Sequence, residues 1–74
     1  MCQVVLFNDN HNDMEYVVQC LIHVFGHGFQ LAKKITLEAH NTGRAVAEVE
    51  GGAEARAHCS QLLSAGLGAS VEKI

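Results

Sequence analysis

The sequence predicts an α+β fold of order β-α-α-β-α-β, a small three-stranded antiparallel sheet covered on one side by three helices. The run Val4-Val5-Leu6-Phe7 is unbroken in hydrophobicity and short enough for a buried strand. Two stretches with apolar residues three and four apart follow, separated only by Gly26-His27-Gly28, which predicts an αα-hairpin. Glycines then punctuate the rest: Gly43, the pair Gly51-Gly52, and Gly66 with Gly68 mark off a strand, a helix and a last strand. Three strands are too few for a barrel, and helices layered on one sheet face bury the apolar side of both.

The first strand, Gln3 to Phe7, is apolar enough to be central or covered on both faces. Asn8 to Asp13 is polar, and Asn and Asp bond their own backbone and favour turns. Asn12 followed three residues later by Glu15 matches a capping box with Asn12 as N-cap. Helix one is expected over Met14 to Phe25, with Met14, Val17, Val18, Leu21 and Phe25 on its buried face. A left-handed glycine after Phe25 ends it. Helix two is expected from Phe29 to about His40, with Ala32, Ile35, Thr36 and Ala39 inward and Lys33, Lys34 and Glu38 in water. Asn41-Thr42-Gly43 stops it, and Arg44 to Val49 alternates as a second strand, with Ala45, Ala47 and Val49 on one face. Helix three follows over Ala53 to Ala65, with Ala55, Cys59, Leu62 and Leu63 on its apolar side, and Ala69 to Ile74 is the last strand.

Seventy-four residues make one domain, spanning residues 1–74, near the lower limit for a self-supporting core. Phe7, Phe25, Phe29 and Tyr16 are the only aromatic residues, so that core must be mostly aliphatic. A net charge of −3 without a basic cluster argues against nucleic acid, which needs several Lys or Arg on one face. No apolar run approaches the length of a membrane span, and no signal-peptide pattern precedes the first strand. Cys2, Cys20 and Cys59 are odd in number and form no C-x-x-C, which fits free, structural thiols in a reducing compartment.

No Ser, Cys or Thr stands beside a base and an orienting group, so an enzyme is not expected. His23 and His27 are four apart, but Gly26 intervenes and no third ligand is evident, so neither metal nor cofactor is expected. Thr36, Ala39 and His40 share one face of helix two. If the hairpin folds back on the sheet, they converge with Asn8 and Asp9 beside Met14 and Val17. The result is an apolar hole with amide, carboxylate and imidazole acceptors at its mouth. That suits a free peptide N-terminus, whose α-ammonium offers three donors.

Asn8-Asp9, then Met14-Glu15-Tyr16-Val17-Val18, then Ala39-His40-Asn41-Thr42-Gly43-Arg44 resemble the ClpS adaptor family. The family pattern is Asn-Asp-Asp, a spacer, Thr-Pro-Met-Glu-Phe-Val and, on the second helix, Met-x-x-Val-His-x-x-Gly-Lys or Arg. The likeness runs ungapped from Val4 to Lys73, with three separated motifs in order. It implies an adaptor that binds N-degrons (proteins beginning with a large hydrophobic or aromatic residue) and hands them to a Clp AAA+ unfoldase and its peptidase. By that resemblance Asn8, Asp9 and His40 hold the α-amino group, and Met14, Val17, Thr36, Ala39 and Leu67 line the side-chain pocket, Met14 as a gate. Asn10 and Asn12 belong to the substrate loop, and His11, Glu54 and His58 to the surface that meets the N-terminal domain of the Clp chaperone. The implied protein is a cytoplasmic monomer, or a stromal one where a transit peptide precedes the chain.

Several positions depart from the pattern. Asn10 replaces the second acidic residue, and Asn12 and Asp13 replace Thr-Pro. Thr36 stands where methionine is usual, and Ala39 where valine is usual, removing about three heavy atoms from the pocket wall at roughly 0.8 kcal/mol per buried methylene. A wider, slightly more polar pocket is expected, favouring Phe, Tyr or Trp over Leu, with Thr36 open to a Tyr hydroxyl. Ala53 with Glu54 beside it, and His58, stand at the usual acidic and lysine chaperone contacts, and from Met1 onward no segment matches the family's long N-terminal extension, as expected of a trimmed core or a divergent paralogue. An alternative is the C-terminal domain of the ribosomal stalk protein, which shares the β-α-α-β-α-β plan and binds translation factors through a Lys-rich region. Here only Lys33 and Lys34 stand in that region.

Overall fold

A computed structural model describes residues 1–74. Its elements are β1 (Cys2–Phe7), α1 (Met14–Phe25), α2 (Phe29–Thr42), β2 (Arg44–Glu50), α3 (Gly52–Ser64) and β3 (Ala69–Lys73). β1 is central in the order β2-β1-β3, and both pairings are antiparallel. Helix α2 runs two residues past His40, to Thr42, before Gly43 turns left-handed at φ 96° and ends it.

The helices cover one sheet face. Val4 and Leu6 of β1 join Val17, Val18, Cys20 and Leu21 of α1, Ala32, Ile35 and Ala39 of α2, and Ala55, Cys59 and Leu62 of α3 in one core. Burying a leucine such as Leu6, Leu21 or Leu62 contributes about 1.5–3 kcal/mol. Between α2 and β2 the core is built of Ala32, Ala39, Ala45 and Ala47, small side chains that let helix and strand approach closely. Cys20 and Cys59 are buried as small apolar groups, and burial pushes the Cys59 thiol up.

Val5 points to the other face yet is fully buried. Arg44 and Glu72, on the strands flanking β1, meet across it at 2.7 Å, and Gln3 Nε2 donates to the same Glu72 oxygen at 3.1 Å. The Arg44 guanidinium also lies 5.6 Å from the Phe7 ring centroid. The central strand is thus covered on both faces, by helices on one and by a polar strap on the other. The Arg44 bond, then the Gln3 bond, hold the Glu72 carboxyl below its usual range.

Four sequence expectations need correction. Asn12 does not cap α1; the N-cap is Asp13, because Asn12 is drawn into bonds with Asp9 and Gly66. Val49 is exposed rather than inward: Val4 pairs with Glu48 and Val5 with Val46, so Ala47 is an extra residue, and that bulge shifts the alternation. Leu63 is 53% exposed, since Leu62 alone fills the last position of the α3 stripe. On α1, Met14 is exposed and Phe25 half-buried, while Cys20 takes a place in the core.

Candidate functional site

The end of β1 is pinned on both sides. Phe7 N–H donates to Gly68 O at 2.9 Å, and Asn8 N–H donates to Gly43 O at 3.0 Å. The second bond ties the strand end to the C-terminus of α2, where Gly43 N–H in turn caps Ala39 O at 2.9 Å. Asn8 is thereby brought to the same rim as His40, from which it is separated by 31 intervening residues of sequence.

The following loop is closed by its own side chains. Asp9 Oδ1 accepts from the backbone N–H of His11 at 3.0 Å and of Asn12 at 2.9 Å. The Asn12 amide donates to both Asp9 oxygens, at 3.3 and 3.2 Å, and to Gly66 O at 3.0 Å. Burial works to raise the Asp9 carboxyl, but the bonds from Asn12 and His11 outweigh it and hold the group below the usual carboxylate range. Its charge therefore persists, and Oδ2, with a single partner, keeps acceptor capacity. Tyr16 OH donates to Ala65 O at 2.6 Å, so α1 and the loop together satisfy carbonyls at the C-terminal end of α3.

These constraints leave a recess of about 290 Å³ at the end of the sheet. Its apolar wall is Leu6 and Phe7 from β1, Met14 and Val17 from α1, and Ala39 with the methyl-bearing Thr36 from α2. Asn8, Asp9, Asn10, Asn12, Asp13 and His40 make its polar rim. The side-chain bonds of the loop are all made by Asp9 and Asn12, leaving Asn8 and His40 free to bond a ligand. Met14 is 38% exposed and stands at the edge of the opening.

The structure therefore brings together Asn8, Asp9, Asn10, Asn12, Met14, Val17, Thr36, Ala39 and His40. Leu67 is not on the recess wall; it is buried in the core. The Thr36 hydroxyl donates to Ala32 O at 2.8 Å, so toward a ligand it is left as an acceptor only. Glu54 and His58 are one turn apart on α3. His58 is half-buried, with Nδ1–H donating to Glu50 at 2.6 Å, while the exposed His11 lies in the loop, toward the opposite end of α3. Leu6 and Phe7, which the family motif does not mark, also form part of the wall, and their place directly before Asn8 is the signal the sequence carries for them.

The model for the family described as "ATP-dependent Clp protease adaptor protein ClpS" matches residues 1–70. The chain belongs to the ClpS family. This is a family of adaptors, not of enzymes. Over 71 residues the chain is 48% identical to the chloroplastic ATP-dependent Clp protease adapter protein CLPS1 of Arabidopsis thaliana, covering 95% of this chain and 45% of that one. A ClpS adapter of Desulforapulum autotrophicum is 46% identical over 46 residues, 62% of this chain and 44% of the relative. The chain thus spans less than half the length of these curated relatives. The fold superposes on Agrobacterium tumefaciens ClpS2 bound to L-phenylalaninamide with a TM-score of 0.92 and 25% identity, covering 96% of this chain and 93% of that one. The ribosomal-stalk alternative shares the element order but is set aside by the family match over 1–70. No helix is long and apolar enough to cross a membrane.

Proposed function

We propose that this ClpS-family chain captures proteins by a free N-terminus carrying a large hydrophobic or aromatic first residue and delivers them to a Clp AAA+ unfoldase. The observation that supports it is one recess in which Asn8, Asp9 and His40 rim an apolar wall of Met14, Val17 and Ala39. The α-ammonium is largely protonated at neutral pH and presents three donors. Asn8 Oδ1, the spare capacity of Asp9 Oδ2 and a neutral imidazole nitrogen of His40 are three acceptors. Each bond to the charged group contributes roughly 1.5–3 kcal/mol, and burying a Phe or Leu side chain adds about 1.5–3 kcal/mol. After the cost of association, the sum is consistent with micromolar binding or tighter. The amide of phenylalanine bound to the Agrobacterium relative has this chemistry, a free amine beside a benzyl group.

In this reading Met14, Val17, Thr36 and Ala39 set the choice of first residue, Met14 gates the opening, and Asn10 and Asn12 shape the loop. Leu67 contributes through the core rather than by touching the ligand. Thr36 and Ala39 widen the recess, so Phe, Tyr or Trp binds better than Leu, and Thr36 Oγ1 accepts from a Tyr hydroxyl. Glu54 and His58, with His11 further along, meet the Clp chaperone. Calorimetry with a Phe-initiated peptide tests the central claim. Micromolar binding of the free amine and none after N-terminal acetylation are expected; equal binding of the two would end the proposal. A Leu-initiated peptide binding more tightly than its Phe counterpart would remove the claim about Thr36 and Ala39 alone.

A further inference from the structure

Met14 and Thr36 line a second recess as well as the first. Beyond them the seam between α1 and α2 opens into a mostly apolar cleft of about 250 Å³, walled by Val18 and Phe29 and flanked by Glu15 and Lys33. Phe29 is 53% exposed in a chain with only three phenylalanines, so the core does not use it. Lys33 Nζ stands 6.0 Å from its ring centroid, and Glu15 opposes that charge on the other helix, so the cleft favours no charged guest.

We propose that this cleft receives the third residue of the captured N-terminal peptide and prefers an apolar side chain there. The inference rests on capture of the first residue in the adjoining recess. In an extended chain, side chains alternate, so residues one and three point the same way, roughly 6.5–7 Å apart. When the first side chain enters its recess, the second turns to solvent and the third returns to the surface. Met14 and Thr36 line both recesses, so the two adjoin, as a two-residue repeat requires. Continuity of the two apolar surfaces through Met14 makes the occupant of the second the same peptide.

Fluorescence anisotropy with labelled Phe-Ser-Ser-Ser, Phe-Leu-Ser-Ser and Phe-Ser-Leu-Ser peptides tests it. Leucine at the third position is expected to tighten binding by roughly three- to tenfold over serine, and leucine at the second to change little. In Phe29→Ala, a surface substitution whose folding circular dichroism checks, the ratio between the third-position leucine and serine peptides is expected to fall to one. No gain at the third position, or a gain at the second instead, overturns the proposal while leaving first-residue capture intact. If none of the Phe-initiated peptides binds, capture itself fails and this inference falls with it.

Discussion

At one end of the sheet, His58 Nδ1–H donates to Glu50 at 2.6 Å, Phe25 meets its ring edge-on at 4.9 Å, and His27 stacks on Phe25 at 5.1 Å. His27 Nε2–H in turn donates to Ala47 O at 2.8 Å, at the bulged residue of β2. At the other end, His40 stands on the rim of the recess beside Asn8, with a carboxylate nearby that has turned to its own loop instead. The residue types are the same and their employment is opposite. Where histidine is spent on internal bonds it fastens the fold, and where it is left unspent at the mouth of an apolar recess it is available to a ligand. The largest expected effect follows from that difference. His40→Ala should weaken binding of a Phe-initiated peptide by roughly 10- to 100-fold, the equivalent of one bond to a charged group, with unchanged circular dichroism. Affinity within a factor of two of the original would erase the distinction between the two ends.

A second way to break the comparison is through the backbone that sets the rim. Gly43 carries φ 96°, caps Ala39 and accepts from Asn8, so it fixes both His40 and Asn8. No atom stands within contact distance of an added Cβ, so Gly43→Ala isolates the conformational cost. That cost is about 1–2 kcal/mol in chemical denaturation, with peptide affinity falling alongside it. Glu50→Ala should behave differently. It removes an internal acceptor at the far end, costing about 0.5–1.5 kcal/mol of stability while the peptide binds as before. Loss of peptide binding in that variant would mean the two ends are not independent.

The same contrast separates what was legible in the sequence from what was not. The burial of Ala32, Ile35, Thr36 and Ala39 follows from helical spacing, and Gly26 and Gly43 end their helices as the left-handed conformation requires. The gathering of Asn8, Met14, Thr36 and His40 was legible because each motif sits at an element boundary that a hairpin must bring together. Asn12 was misread because a capping box is a local pattern, whereas its partner, Gly66 O, lies 54 residues away. Val49 was misread because a bulge leaves no mark in an alternation that ends three residues later. Leu63 was misread because Ala55 and Cys59 are too small to fix which of two adjacent leucines completes the stripe. Leu67 and Thr36 show a subtler limit: the motif assigns both to the pocket, but the fold puts Leu67 in the core, off the recess lining, and engages the Thr36 hydroxyl proton.

The smallest expected effect sharpens the division inside the recess itself, between Asp9 and its neighbours on the rim. The Asp9 carboxyl is held below its ordinary value of 3.8, so the loop bonds it accepts stabilise the fold fully above that value. That contribution is lost only as pH falls through the lower folded value. The Asn12 backbone amide shift, followed by NMR, should make its main movement below 3.8. Asp9→Asn should abolish that movement. An Asn12 amide whose Asp9-dependent movement is centred well above 3.8 would show instead that Asp9 is not committed to its loop.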